Sequence, residues 1–389
     1  MSESLFSKPS TIVITCPKAV PPILAEEVRS LGFEVTSQAL ASVETRGSLQ
    51  DAERLNLWSR TANRVLYLLD EFVVRDADEL YRRVVGFAWE EVIAADQYLT
   101  VTSTVVHPSI RDARFANVKC KDAIVDRIRK HCGTRPDSGP ERRGVVVHLY
   151  WKDDLGRLYL DTSGEPLSKR GYRKIPFKAP LMETIAAAVI LSTDWSGADH
   201  FINPMCGSGT FAIEAALLGL GRAPGLLRSR YGFMHLMGFD SSQWQELRRE
   251  ARTAARKALS GRIIATDISS EAITAARKNA TTAGVDHLIE FSTTDYAQTP
   301  VPEGTGVVVL NPEYGQRLGD IRKLETVYKG IGDFFKQRCT GYRGYVFTGN
   351  LDLAKKVGLQ ARRRIPFYNS GIECRLLEYD LYSGSRRSD

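Results

Sequence analysis

The chain of 389 residues is too long for one ordinary hydrophobic core, so two or three domains are expected. Its formal net charge of +7 and pI near 9.0 suit a polyanionic partner without demanding one, since many unrelated proteins are mildly basic. The composition excludes a disordered or fibrous chain, and no apolar run is long enough to cross a bilayer. Six scattered cysteines (Cys16, Cys120, Cys132, Cys206, Cys339, Cys374) form neither a C-x-x-C pair nor a ligand spacing with His. Free thiols, a reducing compartment and no bound metal are expected. The first residues show no basic-then-apolar leader pattern, and residues 11–15 read as a strand, which predicts a cytoplasmic protein.

Residues 1–54 read strand, helix, strand. The helix spans 22–31, follows two prolines and stops at Gly32, and extended structure resumes at 33–36. Residues 55–165 alternate the two periods, as a small α/β module does. Strands are expected at 66–74 and 98–106, helices at 78–85 and 117–131, and a closing hairpin pairs 144–150 with 157–161 across residues 153–156. Residues 134–143, rich in Gly, Pro and charge, read as a loop.

Residues 166–178, PLSKRGYRKIPFK, are the most polarised stretch. Lys169, Arg170, Arg173, Lys174 and Lys178 stand there with no acid, interleaved with Tyr172 and Phe177. Cationic groups suit phosphates and aromatic faces suit unstacked bases, so the stretch fits a bent or single-stranded nucleic acid. It reads equally well as a solvated linker, and the main domain boundary is expected here. Beyond it come a helix over 179–192 and a strand at 201–202 running into a helix. An insert at 221–260 follows, with Arg222, Arg228, Arg230 and an arginine-rich helix reaching 259. Strand 262–267 feeds a helix capped near Ser269 and Ser270 that stops at Gly284. Strands at 287–292, 307–310 and 342–348, a helix at 320–338, and a terminal hairpin of 363–368 with 373–381 complete the chain.

Two stretches carry chemistry. In FINPMCGSGTFAIEAALLG, residues 201–219, an apolar strand passes through a small-residue turn into a helix. Such a turn brings backbone close to a ligand at the carboxyl end of a parallel strand, and the helix presents unpaired N–H groups. The turn lacks the third glycine of G-x-G-x-x-G and is no phosphate loop; a tight packing turn is the competing reading. Asp267, at the next strand end, fits an acceptor for ribose hydroxyls or a helix cap. Asp295 fits an acceptor for an adenine amine or a turn aspartate. In VVVLNPEYG, residues 307–315, a buried strand delivers Asn311, Pro312 and Tyr314 to the same edge. The Asn311 amide oxygen and the Pro312 carbonyl can accept from an exocyclic NH₂ while Tyr314 stacks on a flipped base. An Asn-Pro pair also begins ordinary turns.

NPMCGSGTFAIEAA followed by NPEYGQRLGD resembles class I S-adenosylmethionine-dependent methyltransferases of the amino-modifying kind. SGEPLSKRGYR at 163–173, APLMET at 179–184 and YNSGIECR at 368–375 narrow this to the THUMP-containing guanine-N2 RNA methyltransferases. These include the bacterial 23S rRNA enzyme and related tRNA enzymes. The resemblance covers essentially the whole chain, with the more specific motifs in the catalytic part. It implies an α/β chain: a ferredoxin-like part over 1–54, a THUMP RNA-binding domain over 55–165, a basic linker over 166–180 and a Rossmann-like methyltransferase domain over 181–389. Asn203, Pro204, Cys206, Gly207, Ser208, Gly209 and Thr210 would cradle the methionine part of S-adenosyl-L-methionine. Asp267 would take its ribose and Asp295 its adenine, with Pro180, Thr184, Ile268 and Tyr296 alongside. Asn311, Pro312 and Tyr314 would hold the guanine, and Lys169, Arg170, Arg173 and Lys174 would contact RNA. The expected partner is rRNA, with tRNA as the alternative; no DNA, membrane or metal is expected. One departure stands out: Glu313 occupies the second proline position of [DN]-P-P-[YF]. A protein-glutamine methyltransferase and a non-catalytic RNA-binding protein are the rival readings.

Overall fold

The computed structural model describes residues 5–108, 110–175, 181–314 and 318–382. Among them the strands form two seven-stranded sheets, and the chain divides into two compact units.

The first unit comprises Met1–Cys16, Leu24–Leu167 and Arg228–Glu250. In chain order its elements are β1 (Ser10–Thr15), α1 (Pro21–Ser30), β2 (Ser37–Ala39), β3 (Ser42–Gly47), α2 (Leu49–Trp58) and β4 (Arg64–Val73). Then follow α3 (Ala77–Gly86), β5 (Leu99–Val106), α4 (Ala113–Cys132), β6 (Val145–Lys152) and β7 (Leu155–Asp161). The sheet runs β2-β3-β1-β4-β7-β6-β5, antiparallel except where β5 lies beside β6. The two expected N-terminal modules therefore share one sheet, joined through β4. The boundary expected at 54/55 falls inside α2, whose start is set by a capping box of Ser48 and Asp51. Residues 33–36 are not a strand; pairing starts at Ser37. The β6–β7 hairpin turns on Asp153 and Asp154 alone, and Asp153 takes the left-handed conformation such a tight turn needs. Trp89 and Trp151 are fully buried here. Each removes apolar area worth roughly 4–6 kcal/mol of transfer free energy.

The second unit comprises Pro17–Ile23, Ser168–Leu227 and Ala251–Asp389. Its elements are α5 (Glu183–Leu191), β8 (His200–Pro204), α6 (Thr210–Gly219), the end of α7 (Ser241–Thr253), β9 (Ile263–Asp267) and α8 (Ser270–Ala283). They continue with β10 (Ile289–Thr293), β11 (Gly306–Leu310), α9 (Leu318–Arg338), β12 (Tyr342–Thr348), α10 (Leu351–Lys355), β13 (Arg363–Asn369) and β14 (Ile372–Asp380). The sheet order is β10-β9-β8-β11-β12-β14-β13; the first five strands are parallel, and β14 and β13 each run against their neighbour. Val307, Val308, Val309 and Leu310 are all buried, as a parallel strand covered on both faces requires. The chain builds outward from β8 on one side, then crosses to β11 on the other. That reversal opens a crevice at the carboxyl ends of β8 and β11.

Arg228–Glu250, within the span expected for the methyltransferase domain, groups with the first unit. The arginine-rich helix ends at Thr253, short of 259. Among the described residues no helix is long and apolar enough to cross a membrane, and no cluster of His, Cys, Asp and Glu is placed to hold a metal ion.

Candidate active site

The glycine turn sits at the strand-order reversal. After Pro204 the chain bends through Met205 at φ +56°, a left-handed conformation that costs a non-glycine residue about 1 kcal/mol. Cys206 N–H donates to the Thr266 carbonyl (2.9 Å), tying the turn to β9, and burial pushes its thiol pKa upward. Gly209, at φ +82°, must be glycine for a second reason: a Cβ there would lie 3.0 Å from the Ala276 Cβ on α8. A Cβ on Gly207 would meet nothing within 4 Å, so the space before the turn is open. Gly209 starts α6 with no side-chain cap. The first-turn N–H groups of α6 are thus available to an anionic group, here the carboxylate expected of the cofactor's methionine part.

Asp267 is held by two backbone donors, Gly207 N–H at Oδ2 (2.9 Å) and Ser269 N–H at Oδ1 (3.0 Å). Ser269, and not Asp267, caps α8. Each carboxylate oxygen keeps acceptor capacity for a ribose hydroxyl. Ile268, beside it, is 74% exposed, an apolar face suited to a flat ring. Asp295 is half-buried and accepts from Ala297 N–H (2.9 Å), as a turn aspartate does. Tyr296 gives its hydroxyl to the Val327 carbonyl (3.3 Å). The open turn, the uncapped helix and the anchored acid together fit S-adenosylmethionine.

The basic stretch turns inward. Arg170 is fully buried and donates to both oxygens of buried Glu214 on α6 (3.2 and 3.4 Å), and the Tyr172 hydroxyl joins at 3.1 Å. Arg173 donates to Glu183 (3.0 Å), the Leu181 carbonyl (2.7 Å) and Thr210 Oγ1 (3.2 Å). Arg170 thus braces the middle of α6 and Arg173 the first residues of α6 and α5, so both guanidinium groups are engaged within the unit and not held out toward the RNA expected of them. Lys169 and Lys174 are exposed. The described part of this segment is no loose linker. Asn279 on α8 clamps it, accepting from Lys174 and Ile175 N–H (3.0 and 3.2 Å). The same amide donates to the Ile175 and Ser208 carbonyls (3.2 Å each), joining the segment to the glycine turn. No local pattern announced Asn279, because its partners lie about 70 and 105 positions away. Thr184 is fully buried in α5, and Pro180, Phe177 and Lys178 lie outside the described residues.

The Asn311 corner lies across the reversal. Asn203, fully buried, donates to the Val309 carbonyl (2.9 Å) and so links the ends of β8 and β11. Asn311 follows β11, Pro312 is buried and Glu313 is exposed. The Tyr314 carbonyl accepts from Asn350 Nδ2 (3.3 Å). At position 349 a Cβ would stand 3.2 Å from the Tyr314 ring and 3.0 Å from Ile372, a tight fit that glycine avoids. Burial raises the Tyr314 pKa; beyond that, Asn369 lowers it and Cys374 raises it. Three side-chain amide oxygens at this edge, those of Asn203, Asn311 and Asn369, are buried without a hydrogen-bond partner. Each acceptor left orphaned costs roughly 1–3 kcal/mol unless something donates to it.

A parallel sheet with a final antiparallel hairpin, a glycine turn at the reversal and an anchored acid on the next strand define the class I methyltransferase fold. The chain matches three family descriptions: an RlmL ferredoxin-like domain over residues 11–66, a THUMP domain over 74–161, and an "RMKL-like, methyltransferase domain" over 170–378. It belongs to this RMKL-like methyltransferase family. Among curated relatives, "Ribosomal RNA large subunit methyltransferase K/L" of Syntrophotalea carbinolica is 38% identical across 96% of this chain and 54% of its own length. The protein of the same name from Psychromonas ingrahamii is 38% identical across 94% of this chain and 49% of its own. The chain thus spans about half the length of the curated relatives it matches. Among solved structures, a predicted N6-adenine-specific DNA methylase from Listeria monocytogenes has 30% identity and a TM-score of 0.86, covering 97% of both chains. SMU.472, solved as a complex with SAH, has 27% identity and a TM-score of 0.87, covering 98% of this chain and 100% of that one.

Proposed function

We propose that this chain transfers a methyl group from S-adenosylmethionine to the exocyclic N2 of a guanosine in large-subunit ribosomal RNA, in the cytoplasm. The observation that carries the reading is the buried, unpartnered amide oxygen of Asn311, at the strand end across the reversal from the glycine turn. The relatives' shared name supports the ribosomal substrate, and the THUMP match supports RNA.

When bound, S-adenosylmethionine supplies an electrophilic methyl group. The residues of this chain do the positioning. Asp267 and the open turn at Gly207 would hold the donor, and the uncapped first-turn N–H groups of α6 would serve its carboxylate. Guanine N2 is a poor nucleophile because its lone pair is spread into the ring. Asn311 Oδ1 and the Pro312 carbonyl accept its two hydrogens, aiming the nitrogen and stabilising the positive charge that builds on it before a proton leaves. The half-buried Tyr314 ring gives the flipped base a face to stack on.

The test is parallel incubation with labelled cofactor and unmodified 23S rRNA, bulk tRNA, duplex DNA or protein extract, followed by digestion and identification of the methylated product. N2-methylguanosine from 23S rRNA supports the proposal. Label in tRNA alone, N6-methyladenine from DNA, methylated glutamine, or no label in any pool overturns it.

A further inference from the structure

The hairpin at the far end of the second sheet reaches the same edge as the catalytic strand. β11 and β12 are parallel, so residues 311–314 and 348–350 emerge at one edge. β14 runs against β12 and β13 against β14, so β14 begins and β13 ends at that edge too. Asn369, the last residue of β13, thereby comes near enough to Tyr314, which arrives from the other side of β12, to lower its pKa. The Tyr314 ring and Ile372, at the start of β14, both flank Gly349. Asn369 is 9% exposed, and its Oδ1 has no partner.

A role confined to the protein leaves the buried Asn369 oxygen without a donor. A base stacked on the Tyr314 ring supplies one. Resting on the guanine reading above, we infer that the Asn369 amide oxygen accepts the N1–H of the target guanine while Asn311 and Pro312 take its exocyclic amine. Guanine offers a donor at position 1 beside its amine; adenine offers a lone pair there, which an amide oxygen repels. Asn369 then selects guanine over adenine in a pocket whose amine-holding part would accept either. Sites that hydrogen-bond a substrate group discriminate strongly against analogues lacking it, because the buried partner is left unpaired.

The experiment uses the full chain and a short RNA spanning the guanosine that the substrate panel identifies, made with guanosine or with 2-aminopurine riboside at that position. 2-Aminopurine keeps the exocyclic amine and has a bare nitrogen at position 1. Single-turnover rates are compared, with SAH affinity confirming that each variant is folded. The wild type is expected to favour guanosine by roughly tenfold or more. Asn369→Ala should bring the ratio to within about twofold of one, and Asn369→Asp, which keeps an oxygen in place, should preserve the preference. Equal slowing of both RNAs by Asn369→Ala would mean that Asn369 serves only to hold Tyr314, and loss of the preference in Asn369→Asp would exclude acceptance at that oxygen; either overturns the inference. If no guanosine in any RNA is methylated, the guanine reading itself has failed and the inference falls with it.

Discussion

The basic segment at 166–175 and the corner at 311–314 make opposite use of polar groups. In the segment, the guanidinium groups that looked free to meet RNA are engaged internally, Arg170 by Glu214 and Arg173 by Glu183 and Thr210. Outside it, Arg222 and Arg228 are likewise turned to carbonyls, at 283–284 and 163–166. In the corner, the uncharged amide oxygen of Asn311 is held buried and unpaired. Charge is visible in a sequence; whether it is already satisfied is not. A functional surface is marked here by what is left unsatisfied more than by what is charged.

The largest test of that contrast is Arg170→Ala. Leaving Glu214 as an unpaired buried carboxylate should cost about 3–5 kcal/mol of unfolding free energy, read by urea denaturation. If Arg170 were an RNA contact instead, stability would hold and RNA affinity alone would fall. Asp267→Ala should leave the fold intact and weaken SAH binding tenfold to about a hundredfold by calorimetry, since hydrogen bonds to charged groups contribute about 1.5–3 kcal/mol. Unchanged affinity would remove Asp267 from the site.

A third kind of polar group is buried Glu53 on α2, whose pKa is raised to about 8 by burial and then by nearby Asp240. The folded chain keeps this proton where the unfolded chain has lost it. The stabilisation is complete below the ordinary glutamate value and is lost as pH rises through about 8. Stability should therefore fall by up to about 1.4 kcal/mol per pH unit within that window, and Glu53→Gln should flatten the profile. An unchanged profile in the variant would show that another group titrates. The smallest effect belongs to exposed Lys169 and Lys174. Replacing both with Gln should lower the slope of log affinity against log salt by at most about two. A larger drop would mean that the segment does more of the RNA binding than its inward-turned arginines allow.

Local signals were legible in the sequence. Ser269 and Gly284 bound α8 as cap and stop residues, and β12 spans 342–348, because capping and unbroken apolar runs act within a few residues. The whole of α2 was missed; Asp51 completes its capping box in place of the commoner Glu or Gln. Asn311 was legible as an amide at a buried strand end. The roles of Arg170, Asn279 and Asn369 were not, because each depends on a partner brought from tens of positions away or more. Glu313 departs from the motif and points to exposed surface, so the departure leaves the inward-facing part of the corner intact.

The account turns on Asn311. The direct measurement is the single-turnover methylation rate of Asn311→Ala on 23S rRNA, with SAH and RNA dissociation constants taken on the same preparation. Removing a contact that matters chiefly as charge develops on nitrogen should lower the rate about a hundredfold or more and leave both dissociation constants within about twofold of wild type. A variant that methylates at close to the wild-type rate, or one whose lost rate is matched by lost affinity, would contradict the account.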